Sequence, residues 1–188
     1  TEDATISFRT IANGSLKEIS MEAGNLVFNE SGAGVHLGVT SSNAANLLDD
    51  YEEGTAFADI EDASGNSYSF YEQNGQYNRL AYTKVGRMVF FTIRFYTSST
   101  SGTTSSEQAR ITGLPFTAIS SQAAGGAFFQ NSYAAMNTSS ALVVGGMVQD
   151  GQTYITLNKQ DTDGDYSALT IAELGSARIE VYGMYHAA

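Results

Sequence analysis

Strict alternation of side chains from Arg87 to Tyr96 constrains the fold more than any other feature of the chain. Side chains in a β-strand point to opposite faces in turn, so a period of two sorts them into two sets. One set is wholly apolar and predicts a core face, whereas the other mixes aromatic and polar side chains, as a half-buried or subunit-facing surface would. The core set is Val89, Phe91, Ile93 and Phe95, and the other set is Met88, Phe90, Thr92, Arg94 and Tyr96.

The strand pattern returns through the later part of the chain. Residues 178–185 alternate in the same way, and shorter strand-like runs at 107–114, 141–149 and 153–158 are separated by turns rich in Gly, Ser and Asn. Short strands at this spacing are typical of a sandwich or jelly roll. We therefore predict an all-β fold whose head domain, residues 57–188, is an antiparallel, jelly-roll-like β-sandwich.

Helical signals are few. The best is Ser42 to Glu53, where Ser42 or Asn43 would cap a short turn. A second, Ser167 to Leu174, is short and flanked by strand patterns, so a loop or a strand fits it equally well. Neither would change the fold class.

The first 47 residues have a different character, because their large apolar residues come as pairs on short runs between polar, Gly-rich turns. A segment with so few large side chains is too small to build its own core. Identical copies around an axis are the simplest partners for these side chains. We expect residues 1–47 to form a slender β shaft that is intertwined with identical copies of itself. The pairs are Ile6 and Phe8, Ile19 and Met21, Leu26 and Phe28, and Val35 and Leu37.

The net charge of the chain limits the classes of partner that it is expected to bind. Nine Lys and Arg face twenty Asp and Glu, which gives a formal net charge of -11. An acidic chain is repelled by polyanions, so nucleic acid is an unfavourable partner and an anionic membrane surface is disfavoured. No apolar run approaches the length of about 20 residues that a spanning helix needs, so we expect no membrane insertion. The chain has no Cys, so disulfides and thiolate chemistry are excluded.

Four stretches resemble phage tail fibres and related virion structural proteins. The acidic run LLDDYEEGT, residues 47–55, resembles a segment that precedes the C-terminal head of such proteins, and we take residues 48–56 as an acidic linker. The other stretches are GNLVFNESGAGVHLG at 24–38, YTKVGRMVFFTIRF at 82–95 and TGLPF at 112–116.

This resemblance implies a homotrimeric fibre end on the virion, outside the cell, in which a β shaft carries a β-sandwich head that contacts the host surface. A receptor-binding tip that adheres to a host glycan or surface protein, and contacts other virion tail proteins, is the leading interpretation. The alternative is a non-adhesive virion component, such as a decoration or connector protein. An enzyme is not expected, and a glycan-degrading spike would need two suitably placed carboxylates.

Asp161, Asp163 and Asp165 present carboxylates at alternate positions, as the start of a calcium loop does. Tyr166 and Ala172 stand where an EF-hand has Gly and Glu. The competing interpretation is a solvated hairpin tip, in which Asp and Gly supply turn geometry. Calcium at these three residues is the main cofactor that the sequence indicates; a metal held on an axis by symmetry copies of His36 is a further alternative, with a surface or packed imidazole as the competing interpretation.

Aromatic side chains near loops are the candidates for ligand binding, since such rings stack on sugar faces while their hydroxyls form hydrogen bonds. We select Tyr71, Tyr77 and Tyr133, while core or interface packing accounts for most of the other rings. The Ser-, Thr-, Gly- and Ala-rich loops at 97–106 and 120–127 suit either recognition or ordinary connection.

No catalytic residue is predicted. The carboxylates of the acidic linker are better explained as a solvated hinge, or as partners of Lys84 and Arg87, than as a glycosidase pair. His36 and His186 lie in no metal or triad signature. The acidic residues concerned are Asp49, Asp50, Glu52 and Glu53.

Overall fold

Antiparallel strands make up almost all of the regular structure in the computed structural model of the chain. The chain divides into two units, Thr1–Tyr51 and Glu52–Ala188. The all-β prediction is confirmed for the described part of the chain. That part comprises residues 6–12, 15–29, 32–38, 47–67, 69–70, 77–99, 106–120, 125–134, 141–174 and 177–188.

The amino-terminal unit holds a three-stranded antiparallel sheet, in the order β1-β2-β3, and a separate two-stranded pair, β4-β5. A two-residue turn joins β2 to β3 at Ala23 and Gly24, whose φ angles of 47° and 83° match the left-handed turns that suit tight hairpins. The strands are β1 (Ile6–Ala12), β2 (Ser15–Glu22), β3 (Asn25–Phe28), β4 (Val35–His36) and β5 (Leu47–Leu48).

In its described residues the carboxy-terminal unit, Glu52–Ala188, is one antiparallel sheet with a single helical turn, and we call this unit the head. No helix in the described residues is long and apolar enough to cross a membrane. The elements are β6 (Tyr51–Phe57), β7 (Asp59–Glu61), β8 (Ser69–Phe70), β9 (Arg79–Val85), β10 (Met88–Ser99), β11 (Arg110–Thr112), β12 (Gly125–Ala134), β13 (Ala141–Val148), β14 (Tyr154–Asp161), β15 (Tyr166–Ala168), α1 (Ile171–Leu174) and β16 (Ala177–His186).

The two outermost strands of the head sheet are neighbours along the chain. Its strand order is β6-β9-β10-β16-β12-β13-β14-β11-β7, with β15 beside β14 and β8 beside β10. The two terminal strands, β6 and β7, are separated along the chain only by Ala58, so one continuous segment supplies both ends of the sheet. Across the β7–β11 pair, Arg110 Nη2 donates to Glu61 Oε1 at 2.7 Å. The result is a sandwich-like sheet wrapped around one core.

The predicted core face of β10 is confirmed. Val89, Phe91, Ile93 and Phe95 are all buried, while Phe90 between them is exposed. Antiparallel pairing places Ile93 opposite Val181 and Phe95 opposite Ile179, so the inner faces of β10 and β16 form one apolar surface. The rest of the core comes mainly from β14, β11 and the residues around α1.

The helix predicted from Ser42 to Glu53 is wrong in its described part, residues 47–53. Leu47 and Leu48 form β5, and β6 begins at Tyr51, so the predicted acidic linker contains most of an edge strand that pairs with β9. Cross-strand pairing overrode a weak capping signal. Residues 42–46 lie outside the described residues.

The second helical candidate contains the end of a strand and a short helix. Ser167 and Ala168 end β15, and Ile171–Leu174 forms the single turn α1. Glu173 Oε2 accepts hydrogen bonds from Thr170 N at 2.9 Å and from Thr170 Oγ1 at 3.0 Å. This local bond from Glu173 back to the start of the turn resembles a capping box and stabilises a helix too short to form alone.

Candidate functional site

The amino-terminal sheet has one apolar face. Pairing places Phe8 opposite Ile19 and Ile19 opposite Phe28, and Met21 lies opposite Leu26 in the neighbouring row. Side chains at directly paired positions share a face, so the first three of the four pairs seen in the sequence form one apolar surface. We call it the amino-terminal apolar face. Phe8 keeps 69% of its surface exposed and Leu26 keeps 57%, so the described residues leave most of both side chains uncovered.

The opposite face of this sheet carries polar pairs. Arg9 Nη2 donates to Glu18 Oε1 at 3.1 Å, and Asn29 Nδ2 donates to Ser20 Oγ at 3.1 Å. Ser20 is buried on this side. The exposed Ile11 alternates to this side as well, so one face groups the apolar side chains whereas the other mixes polar pairs with an isoleucine.

Apolar exposure continues at the two-stranded pair of the same unit. Val35, Leu37 and Leu48 all remain exposed. The backbones approach closely here, because a Cβ on Gly34 would collide with the carbonyl oxygen of Leu48. Glycine at position 34 is thus required by the packing of this pair, which presents further apolar side chains to the surroundings.

In the head, the stretches that carry the family resemblance meet in one cluster. Tyr82 Oη donates to Glu52 Oε1 at 2.5 Å, which ties β9 to the acidic stretch on β6. Gly54 leaves room for the Tyr82 ring, since a Cβ there would lie 2.5 Å from the tyrosine oxygen. The glutamate, the glycine and the tyrosine therefore form one local contact that fixes the edge strand.

Phe116 is the centre of the same cluster. Its ring packs edge-on against Tyr82 with centroids 5.4 Å apart, and the buried Lys84 places Nζ 5.3 Å from its centroid. Tyr185 Oη donates to Phe116 O at 3.0 Å and accepts from Phe116 N at 3.2 Å. These contacts join β9, the TGLPF segment and β16.

The cluster holds strands together and offers no activated base. The hydrogen bond to Glu52 raises the pKa of Tyr82, and burial raises the pKa of Tyr185 to about 12. Both phenols are therefore neutral at physiological pH, where a tyrosine of raised pKa is a poor nucleophile and a poor base. The resemblance lies in these segments taken one at a time, and no local sequence pattern indicates that they are in contact.

The candidate ligand tyrosines are not brought together in the described residues. Tyr77 is half-buried and packs edge-on against Tyr96, with ring centroids 5.3 Å apart. Tyr133 belongs to β12, where it is paired with Arg178, and its side chain lies outside the described part of the chain, as does all of Tyr71. Their role in ligand binding stays a prediction.

The three aspartates lie at a hairpin. Asp161 ends β14, Asp163 and Asp165 are exposed, and Gly164 between them has a φ of 85°, as a tight turn requires. Within the described side chains, which omit that of Asp161, no three His, Asp or Glu groups are close enough to hold a metal. Calcium binding at Asp161, Asp163 and Asp165 stays a prediction.

The two proposed recognition loops lie partly outside the described residues, at 100–105 and 121–124. Where they are described, strands extend into them, since β10 continues to Ser99 and β12 begins at Gly125. A Cβ on Gly125 would collide with the carbonyl oxygen of Met184, so this start of β12 needs glycine.

Comparison with known proteins adds no relative. No protein-family model matches the chain, and no curated protein matches it.

Proposed function

We propose that this chain is a phage tail-fibre tip or receptor-binding protein that assembles as a homotrimer and attaches the virion to a glycan on the host cell surface. The observation that carries the proposal is the amino-terminal apolar face. The quoted stretches at 24–38, 47–55, 82–95 and 112–116 supply the resemblance to tail fibres. In this proposal residues 1–47 are the shaft, 48–56 the acidic linker and 57–188 the head.

Exposed apolar area argues for self-association. Removing apolar surface from water contributes about 25 cal/mol per Å². A sheet whose exposed apolar side chains are grouped on one face gains this contribution when copies of that face cover one another. The polar side, with its Arg9–Glu18 pair, then faces water. The number of copies, three, is taken from the family resemblance.

Binding rather than catalysis is the role that the head supports best. The perturbed phenols of Tyr82 and Tyr185 bond to strand partners within the fold. Recognition of the receptor then falls to aromatic and hydroxyl side chains near loops, such as Tyr77. Each contact with a sugar would be weak, and three symmetric copies on several fibres would raise the effective concentration of sites.

Native mass spectrometry of the full chain tests the assembly, and we expect a trimer. Phe8→Glu places a charge on the amino-terminal apolar face and should dissociate it. Ile11→Glu is the matched control, since Ile11 is a similarly exposed apolar residue of β1 whose position alternates to the opposite face. A wild-type chain that stays monomeric at micromolar concentration would sink the fibre proposal.

Glycan-array binding of the labelled wild-type protein tests adhesion. We expect saturable binding to a restricted set of bacterial surface glycans. A stable trimer that binds no glycan and no bacterial cell would instead favour the non-adhesive decoration or connector role. Loss of polymer length in a bound glycan would contradict the binding-only proposal.

A further inference from the structure

The side of the head sheet that faces away from the core carries a group of hydrogen-bonded polar side chains on β10 and β16. Antiparallel pairing places Arg94 opposite Glu180, and Tyr182 lies two residues further along β16. Their neighbours Ile93 and Val181 are buried, so the alternation of a strand turns the three polar side chains outward. We call Arg94, Glu180 and Tyr182 the outer polar cluster.

The guanidinium of Arg94 is held at one end and open at the other. Arg94 Nε donates to Glu180 Oε1 at 2.9 Å, and Tyr182 Oη donates to Glu180 Oε2 at 3.0 Å, so both carboxylate oxygens are engaged. The Arg94 side chain keeps 60% of its surface exposed, and within the described part of the chain its two Nη groups make no hydrogen bond. An arginine oriented in this way presents its Nη groups as a fork that matches two neighbouring oxygen atoms of a ligand.

Two tyrosine rings lie beside the outer polar cluster. Tyr96 occupies the next outward position of β10 after Arg94, and Tyr77 packs edge-on against it with ring centroids 5.3 Å apart. Both rings are half-buried, so part of each remains open to a ligand. The backbone register brings Tyr133 into the same row, because Tyr96 and Tyr133 both pair with Arg178. Tyr77 and Tyr133, selected from the sequence as ligand candidates, thus belong to one neighbourhood of the sheet.

The chemistry of this surface matches a neutral sugar. A pyranose ring has vicinal hydroxyls, which accept hydrogen bonds from an arginine fork, and a C–H face, which packs on an aromatic ring. The Arg94–Glu180 pair has no net charge, and Arg79, opposite Arg94, lies over the Phe57 ring. The chain as a whole carries -11, so an acidic sugar would be repelled at long range. A peptide strand would need an unpaired sheet edge, whereas β10 and β16 each have a neighbour on both sides.

We propose that the outer polar cluster and the Tyr77–Tyr96 ring pair form a binding site for a neutral hexopyranose, a proposal that rests on the proposed adhesion to a glycan and assigns it a site and a sugar class. Arg94 donates from its two Nη groups to two vicinal hydroxyls, and the tyrosine rings pack against the C–H face of the sugar. Glu180 orients Arg94, and Tyr182 orients Glu180, so these two act as positioning residues. The site is shallow, and its affinity is raised by the repeated copies of the head.

Binding of the full chain to arrays of neutral and acidic bacterial glycans tests the site. We expect the wild type to bind neutral hexose glycans and Arg94→Gln to bind them at least about tenfold more weakly, because hydrogen bonds from a charged donor are lost. Arg9→Gln is the matched control, since Arg9 forms the equivalent ion pair with Glu18 in the amino-terminal sheet at nearly the same exposure, 59% against 60%. Native mass spectrometry verifies that the proteins compared have the same number of subunits. Equal binding by the two variants, or wild-type binding to acidic glycans alone, would overturn the inference.

A protection experiment on the wild type decides the question even if Arg94→Gln folds poorly. Phenylglyoxal modifies exposed arginine side chains, and mass spectrometry of the peptides reports the rate at each arginine separately. We expect methyl glucoside, methyl galactoside or methyl mannoside at a saturating concentration to slow modification of Arg94 at least about threefold, because the bound sugar covers its Nη groups. The rate at Arg9 should not change. A rate at Arg94 that is unaffected by any of these sugars would refute the site.

The failure of this inference and that of the proposed function are distinguishable. If the wild type binds glycans and Arg94→Gln binds them as well as Arg9→Gln does, adhesion stands and this site falls. If the wild type binds no glycan, both fall.

Discussion

The two units use the same alternation of side chains with opposite results. In the head, the apolar positions of β10 are buried, and Phe95 has no exposed surface. In the amino-terminal sheet, Phe8 and Leu26 occupy equivalent apolar positions and remain mostly exposed. A period of two creates an apolar face, but burial requires a second layer to cover it. The head supplies its own second layer because its long sheet wraps around one core, whereas the described amino-terminal strands form only a short sheet.

Truncating a ring in the head core is the strongest test of this difference between the two units. Phe95→Ala should lower the free energy of unfolding of the head by about 3–5 kcal/mol, because it leaves a cavity in the closed core. Phe8→Ala should change it by less than about 0.5 kcal/mol, since that ring contributes to association instead. Chemical denaturation followed by near-ultraviolet circular dichroism measures both. Similar losses for the two variants would show that the amino-terminal face is packed in the monomer.

Removing the Tyr185 hydroxyl should give the next largest change in the free energy of unfolding. Tyr185→Phe leaves the backbone N–H and C=O of Phe116 without their partner, and we expect a loss of about 1–2 kcal/mol in the unfolding free energy. Tyr182→Phe is the control on the same strand, because its exposed hydroxyl bonds only to Glu180 in the described contacts and should matter by under about 0.5 kcal/mol. The same denaturation measurement applies, and equal losses would mean that burial of the Tyr185 hydroxyl is unimportant.

The dependence of stability on alkaline pH is a second test of the Tyr185 hydroxyl. Burial raises the pKa of Tyr185 from its ordinary value of 10.0 to about 12, so between these values the folded state keeps a proton that the unfolded state has lost. Stability must therefore fall as pH rises from about 10 to about 12. We expect Tyr185→Phe to show a shallower fall in denaturation midpoint across this window. Parallel profiles for the two proteins would contradict the assignment.

Replacing either of two matched glycines with alanine should give the smallest change in stability. Gly24 and Gly164 have φ angles of 83° and 85°, and a Cβ at either would meet open space, so alanine adds only backbone strain. Gly164→Ala should cost the head about 1 kcal/mol. Gly24→Ala should leave the head transition unchanged and weaken only the assembly. A loss of head stability from Gly24→Ala would show that the two units unfold together.

Local patterns could predict the strands but not their partners. The alternation from Arg87 to Tyr96 placed the core face of β10 correctly, because side-chain direction in a strand depends only on position. Strand β12 was missed, since its Gly- and Ala-rich start has the composition of a loop. The amino-terminal pairs of apolar residues are evident in the sequence. Only the register of β1, β2 and β3 shows that the side chains on these strands share a face.

The candidate site was less predictable than the fold, because its contacts join distant segments. Tyr185 lies 69 residues from Phe116, and Tyr82 lies 30 residues from Glu52. No spacing of residues along the sequence predicts contacts between segments so far apart. Tyr77 was selected as a ring near a loop, and its contact with Tyr96 depends on where the chain returns.

The segment from Tyr51 to Glu61 also has a mechanical consequence. It is the first part of the head that a pull on the preceding chain would reach, and it is hydrogen-bonded to β9 along one stretch and to β11 along the next. A pull directed along this segment would strain both rows of bonds lengthwise. Such a pull would have to break many bonds together before the rest of the head could unfold.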